Sequence, residues 1–292
     1  MPLLSDETLA KLKKFQLGAK QIVEGFLIGL HQSPYHGFSV EFSDHRQYNP
    51  GESLRDIDWK IVAKTERYYV KRYEEETNLR CYIVLDHSKS MFYQSGKETK
   101  IEYATQLAGA LAWLMISQKD AAGLITFNDR ITNMLLPKAF RSYLAQIFGV
   151  LIDLKAEAQT DLLENLNRVA LMIRKRSLII VISDLYDDPQ KILNGLKHFR
   201  SHHHEVLVFH IQDPMEEQFS FSRESVFVDA ETGEKVQVNP WQIRSTYLLN
   251  HAEFVAQLKT GCHQAKIEYI PVNTGTPFND LLIKYLLKRS KA

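Results

Sequence analysis

The sequence predicts an α/β protein: a doubly wound, mostly parallel sheet with one antiparallel edge strand, preceded by an N-terminal α+β extension. Three observations lead there. Short β-branched apolar runs, "CYIVLD" (81–86) and "LIIVI" (178–182) among them, have the composition of strands covered on both faces. Stretches with helical periodicity separate such runs, the rhythm of parallel strands joined by crossover helices. That rhythm is absent before residue 77, where residues 25–80 are rich in Gly, Pro, Ser and Asp. The chain therefore divides into an extension over 1–76 and a domain over 77–292.

In the extension, residues 5–24 read as a helix, with Ser5 as N-cap and Leu9, Leu12, Phe15 and Leu17 on one face. Short strands and turns follow, with Phe38, Val40 and Phe42 alternating, and the region ends in "RYYVKRYEEETN". Strand 81–86 opens the domain. Residues 98–118 form a helix that is apolar nearly all round (Ile101, Ala104, Leu107, Ala108, Leu111, Met115), the pattern of an element packed against several neighbours. "GLITF" (123–127) and "ITNMLL" (131–136), joined by Asn128, Asp129 and Arg130, make a hairpin that supplies the antiparallel edge. Helices are predicted at 138–153 and 160–175, then strand "LIIVIS" (178–183), helix 189–202 and strand 205–211. A hairpin about Thr232 and Gly233, helix 240–259, strand 266–272 and a last helix at 277–289 complete the chain.

Composition narrows the function. The 36 Lys+Arg against 35 Asp+Glu give a net charge of +1, which removes the electrostatic footprint of a dedicated nucleic-acid binder. Cys81 and Cys262 form neither a disulfide framework nor a zinc cage, so a reducing compartment is expected. "MPLLSDETLAKLKKF" carries no secretory pattern, and the longest apolar runs are too short to span a bilayer. These features predict a soluble, cytoplasmic protein without membrane insertion.

In a doubly wound sheet the first and fourth strands lie side by side, and ligands collect beyond their carboxyl ends. Asp86 ends the first strand here and Asp184 follows the fourth, while residue 160 opens a helix facing the same edge. Asp86, Ser88, Ser90, Thr160 and Asp184 would together offer two carboxylates and three hydroxyls. Hard oxygen donors of this kind suit Mg²⁺, with Ca²⁺ or Mn²⁺ also compatible. An ion held by so few charges keeps positive charge and an open position for a partner's carboxylate.

The pattern Asp-x-Ser-x-Ser at 86–90, with Thr160 in "QTDLL" and Asp184 in "VISDL", resembles the metal-ion-dependent adhesion site of von Willebrand factor A domains over residues 78–292. Gln159 stands where many such domains have Gly. The whole chain also resembles a bacterial family defined by a domain of unknown function, numbered fifty-eight. The blocks "FSVEFSDHRQYNPGESLRDIDWKIVAKTERYYVKRYEEETN" and "LDHSKSM" carry that second resemblance. The resemblances imply a von Willebrand factor A-like fold, with Asp86, Ser88 and Ser90 as first-loop ligands, Thr160 as second-loop ligand and Asp184 as third, direct or through water. They also imply a cytoplasmic adaptor or chaperone-like partner of a MoxR-type AAA+ ATPase.

Plainer accounts exist for each residue. Serines shape turns, Thr160 suits a helix N-cap, and Asp184 could begin a turn toward Pro189. In "PGESLRDIDW" (50–59) Arg55 can pair with a neighbouring acid while Trp59 packs inward, leaving a contact role open for Glu52, Asp56 and Asp58. The run His202, His203, His204 reads as a solvated turn, since adjacent helical residues do not face one another. A Mg²⁺-dependent phosphohydrolase using Asp86 as nucleophile is the enzymatic alternative. It would want a second acid where Ser88 stands, and no Gly-rich phosphate loop is present.

Overall fold

The computed structural model describes residues 39–47, 68–76, 79–155, 162–221, 225–228 and 235–276, together with Trp59 and Val62. The expected helices at 5–24 and 277–289 lie outside these residues, as does Thr160. The chain forms two compact units, one of them spanning Ser33–Leu79. In that unit β1 (Ser39–Gln47) pairs antiparallel with β2 (Tyr69–Glu76), and the register shifts between Phe42 and Asp44. Trp59 is 58% exposed, so the expectation that it packs inward is corrected.

The other unit is built on the buried runs seen in the sequence. β3 (Arg80–Asp86), β4 (Ala121–Phe127), β5 (Ile131–Lys138), β6 (Leu178–Ser183), β7 (Glu205–Gln212) and β10 (Glu268–Asn273) form one sheet in the order β10-β7-β6-β3-β4-β5. All neighbours run parallel except β4 and β5. β8 (Ser225–Val228) and β9 (Lys235–Val238) make the separate hairpin predicted there. The first and fourth strands of the sheet, β3 and β6, are adjacent, and the chain winds outward from them in both directions. The sheet is the predicted one, doubly wound and mostly parallel with one antiparallel edge.

Helices cover both faces of this sheet. α1 (Lys100–Ser117) starts on a capping box, with Thr99 accepting from the Glu102 N–H and Glu102 accepting from the Thr99 N–H. It packs on β3 and β4 and against α2 (Leu144–Ile152). On the opposite face, α3 (Leu162–Met172) and α4 (Pro189–Ser201) pack together, and α4 meets the long α6 (Pro240–Gln264). Tyr82 and Val84 of β3 join Leu166, Val169, Leu196, Phe199 and Leu258 in the core beneath those helices. Strand alternation then gives Cys81, Ile83 and Leu85 to the α1 side.

Three boundaries differ from expectation. β5 runs on through Pro137 to Lys138, because an edge strand tolerates a proline without an N–H, and α2 begins only at Leu144. α6 continues past residue 259 to Gln264, and within that last stretch Gly261 lets Leu193 of α4 come close, where a Cβ would lie 2.3 Å from the Leu193 Cδ1. The short α5 (Pro214–Gln218) was not predicted, although Asp213 as N-cap, Pro214 at the first position and Glu216 spell a capping box.

Gly123 sits where β4 meets the end of β5, and a Cβ there would lie 2.5 Å from the Leu135 carbonyl oxygen and 2.8 Å from the Pro137 nitrogen. Because both are backbone atoms, Gly123→Ala should lower stability by about 1–3 kcal/mol in urea unfolding. Gly96→Ala, with nothing within 4 Å of its Cβ position, should leave the midpoint unchanged.

Candidate functional site

β3 ends in a carboxylate that is almost wholly buried, with Asp86 2% exposed. A buried carboxylate needs hydrogen bonds to persist. The loop supplies one, since the Ser88 N–H donates to Asp86 Oδ1 at 2.9 Å, and the neighbouring strand another, since Ser183 Oγ donates to Oδ2 at 2.7 Å. Ser183 Oγ in turn accepts from the Leu185 N–H at 2.9 Å, which fixes the hydroxyl's direction. Ser88 Oγ lies 3.1 Å from Ser90 Oγ as the chain enters a 3₁₀ turn at Lys89–Phe92. Burial, then the charge of Asp184, push the Asp86 carboxyl up from its ordinary 3.8 to about 7, against the pull of the serine hydrogen bonds.

Asp184 follows β6, beside Asp86. Leu185 then takes a left-handed backbone conformation (φ 53°), putting its own side chain in the core, and the next residue, Tyr186, is exposed. Asp184 Oδ2 accepts from Lys100 Nζ at 2.8 Å, and the same ammonium donates to Glu216 Oε1 of α5 at 2.6 Å. Lys100 is fully buried. Burial alone would lower its pKa, but the Asp184 and Glu216 carboxylates outweigh that effect and hold it above the usual value. Burial likewise raises Glu216, partly offset by Lys100. The Asp184 carbonyl oxygen accepts from His210 Nε2 at 3.0 Å, and burial lowers this imidazole to about 4.

The structure thus brings Asp86, Ser88, Ser90 and Asp184 to one edge of the sheet, at the junction of β3 and β6. Thr160 lies outside the described residues. His87, between the ligand candidates in sequence, turns away: its ring nitrogens meet Thr132 Oγ1 at 2.8 Å and the Lys155 carbonyl oxygen at 3.1 Å. His204 is buried and accepts from the Ser177 N–H through Nδ1, so one member of the histidine run serves the core and is not part of a solvated turn. Among the described residues, no group of three or more His, Cys, Asp or Glu could hold a metal. Hydroxyl donors from Ser88 and Ser90 with the Asp86 carboxylate are the set that could.

Sequence reasoning passed over Lys100, Ser183 and Glu216. Lys100 had a legible signal. It stands at the first position of a helix, where the macrodipole disfavours a cation, and most of that helix is apolar. A lysine placed there needs carboxylates from elsewhere in the chain.

Replacing Lys100 with Met would leave Asp184 and Glu216 buried without a counter-charge. Lys100→Met should cost about 3–5 kcal/mol in urea unfolding at neutral pH. For Asp86, the folded-state pKa lies above the ordinary 3.8, so the carboxyl's contribution to stability is complete below that value and is lost as pH rises through about 7. Chelator-treated protein should therefore lose stability across this window, and Asp86→Asn should flatten the slope in unfolding curves taken from pH 4 to 8.

Comparison with known proteins places these observations. An uncharacterized protein, Rv1480, of Mycobacterium tuberculosis (strain ATCC 25618 / H37Rv) is 24% identical over 229 residues, 77% of this chain and 71% of its own length. Its counterpart Mb1516 from Mycobacterium bovis gives the same figures. Of solved structures, the conserved hypothetical protein BatB from Bacteroides thetaiotaomicron superposes with a TM-score of 0.50 at 16% identity, covering 73% of this chain and 100% of that one. The SpRpn10 VWA domain gives a TM-score of 0.40 at 14% identity, covering 70% and 93%. The likeness to BatB is one of fold. No helix among the described residues is long and apolar enough to cross a membrane. The sequence profile of the family described as protein of unknown function DUF58 matches residues 44–255, and the chain belongs to that family.

Proposed function

We propose that this protein is a metal-dependent protein-binding module. It holds Mg²⁺, or Ca²⁺ or Mn²⁺ in its place, through Asp86, Ser88 and Ser90, with Thr160 and Asp184 completing the set directly or through water. The carrying observation is the charge at the edge of the sheet. Asp184 and Glu216 share the Lys100 ammonium, while the buried Asp86 carboxylate beside them is held by the neutral donors of Ser88 and Ser183. A dication is the charge that arrangement lacks, and it would relieve the burial and repulsion that now push Asp86 upward.

The donor set fits a hard ion, since serine hydroxyls and carboxylates are oxygen ligands and no sulfur or free imidazole stands among them. When bound, the ion supplies a Lewis-acidic position for a partner's carboxylate. The chain's own residues do the rest. The Ser88 N–H and Ser183 Oγ hold the Asp86 carboxylate in one orientation, and Lys100 fixes one oxygen of Asp184. This arrangement supports recognition, with the partner's acidic side chain as the group recognised. The von Willebrand factor A-like fold and the family membership support a cytoplasmic adaptor acting with a MoxR-type AAA+ ATPase.

Calorimetric titration of the chelator-treated protein with Mg²⁺ should show a saturable site that Asp86→Ala abolishes and Ser88→Ala weakens by about tenfold or more, while both variants keep the far-ultraviolet spectrum of the parent. Capture of a co-expressed MoxR-type ATPase should require Mg²⁺ and fail with Asp86→Ala. Capture that persists in chelator would sink the reading.

A further inference from the structure

The parallel strands that follow helices, β4, β6, β7 and β10, begin on the edge of the sheet opposite Asp86 and Asp184, and antiparallel β5 ends there. That edge is basic. Lys119 lies just before β4, Arg174, Lys175 and Arg176 lie before β6, Lys266 lies before β10, and Lys138 closes β5. All six are exposed. Among the described residues, ion pairs form at Lys100, Arg168 and Lys191, and none involves these six cations. The carboxylates at this edge, Asp120, Glu205 and Glu268, are buried or half-buried. Across the six strands the row is about 24 Å long.

A cation after a helix C-terminus answers the helix dipole, which accounts for one at each end. Two features ask for more. The first is the way α1, α4 and α6 stop. At each end the N–H of Asp120, His204 or Ile267 donates back to the Met115, Phe199 or Cys262 carbonyl, at 2.9, 3.1 and 2.8 Å. That closure puts the preceding residue in the left-handed region, with φ of 66° at Lys119, 62° at His203 and 55° at Lys266. Glycine is the least strained choice there, and this chain keeps a basic side chain at all three. The second feature is what the cations flank. Leu171 and Met172, 67% and 49% exposed, end α3 just before Arg174, and Phe140, 53% exposed, stands between Lys138 and Arg141.

The net charge of +1 hides this polarity, since Asp86, Asp184 and Glu216 gather at the opposite edge. A negatively charged surface would attract one edge and repel the other, so it would orient the molecule. Apolar side chains set among cations suit the boundary between lipid headgroups and acyl chains. A nucleic-acid strand would want several aromatic rings for its bases. Among the described residues this edge exposes one, Phe140, and Lys138 Nζ already lies 5.7 Å from its centroid.

We infer that the amino edge of the sheet docks on an anionic membrane surface. The row from Lys266 to Lys138 meets the headgroups, and Leu171, Met172 and Phe140 reach to their base. The inference stands on this edge alone and does not require a metal at Asp86.

Its test is flotation of the full chain, in EDTA, with vesicles of phosphatidylcholine alone or with about 30% phosphatidylglycerol. The protein should float with the anionic vesicles only, and binding should weaken about tenfold or more as salt rises from about 0.1 M to about 0.5 M. Arg174→Gln, Lys175→Gln and Arg176→Gln combined should weaken it about thirty- to hundredfold. Leu171→Gln with Met172→Gln should weaken it about three- to tenfold. Lys119→Gly and Lys266→Gly should each keep or raise the urea midpoint while weakening flotation about fivefold, a split that a merely structural role would not give. Lys191→Gln, which removes one cation from the other edge, should change nothing. Equal binding to pure phosphatidylcholine, absence of flotation with anionic vesicles, or unchanged binding in the triple variant would overturn the assignment. Tighter binding to a single-stranded oligonucleotide or to polyglutamate than to vesicles of equal anionic charge would also overturn it, in favour of a nucleic acid or an acidic protein segment. Because EDTA is present throughout, these outcomes are independent of whether Mg²⁺ binds.

Discussion

Lys100 is the interaction on which the carboxyl edge of the sheet depends. Its ammonium is buried at the start of α1, a place unfavourable to a cation both by burial and by the helix dipole. Only the two carboxylates within 2.8 Å make it tolerable there. In return it joins three separate pieces of chain: α1, the residue after β6, and α5. Asp213 extends the network, because it caps α5 and accepts from the Ser95 N–H at 2.9 Å, so the loop after the serine motif is tied to the same helix. The two halves of the doubly wound sheet are therefore linked by charge above their junction as well as by backbone pairing below it.

That arrangement separates the roles of the two aspartates that the sequence treated alike. Asp86 is held by neutral donors, from Ser88 and Ser183, and carries an uncompensated tendency to protonate. Asp184 has a permanent cationic partner on one oxygen. An incoming ion would find in Asp86 a carboxylate that gains most from its charge, and in Asp184 one already half committed. With a metal bound as proposed, the different partners would make Asp86 the anchor and Asp184 the adjusting member.

How much of this was legible follows from the range of each interaction. Strands β3, β4 and β6 announce themselves through local composition, and the β4–β5 hairpin through a three-residue connection, so the sheet order followed from general topology. Asp86 and Asp184 could be placed at one edge of the sheet because a strand-ending acid is visible in the sequence and the topology says which strand ends meet. Lys100 and Glu216 could not, because the lysine's partners are 84 and 116 residues away and only folding reveals them. Ser183 was hidden for another reason. Buried serines in strands are common, and only the Asp86 oxygen 2.7 Å away gives this one a purpose.

The antiparallel edge has a consequence for how the molecule behaves in a crowded solution. β5 ends the sheet on one side, and an open strand edge is a template on which another chain can extend the sheet. Pro137 removes one backbone donor from that edge, and the register shift between Ala122 and Leu124, next to Gly123, disturbs its regular pleat. The proline and the irregular register thus blunt the border of the sheet as a template for backbone pairing.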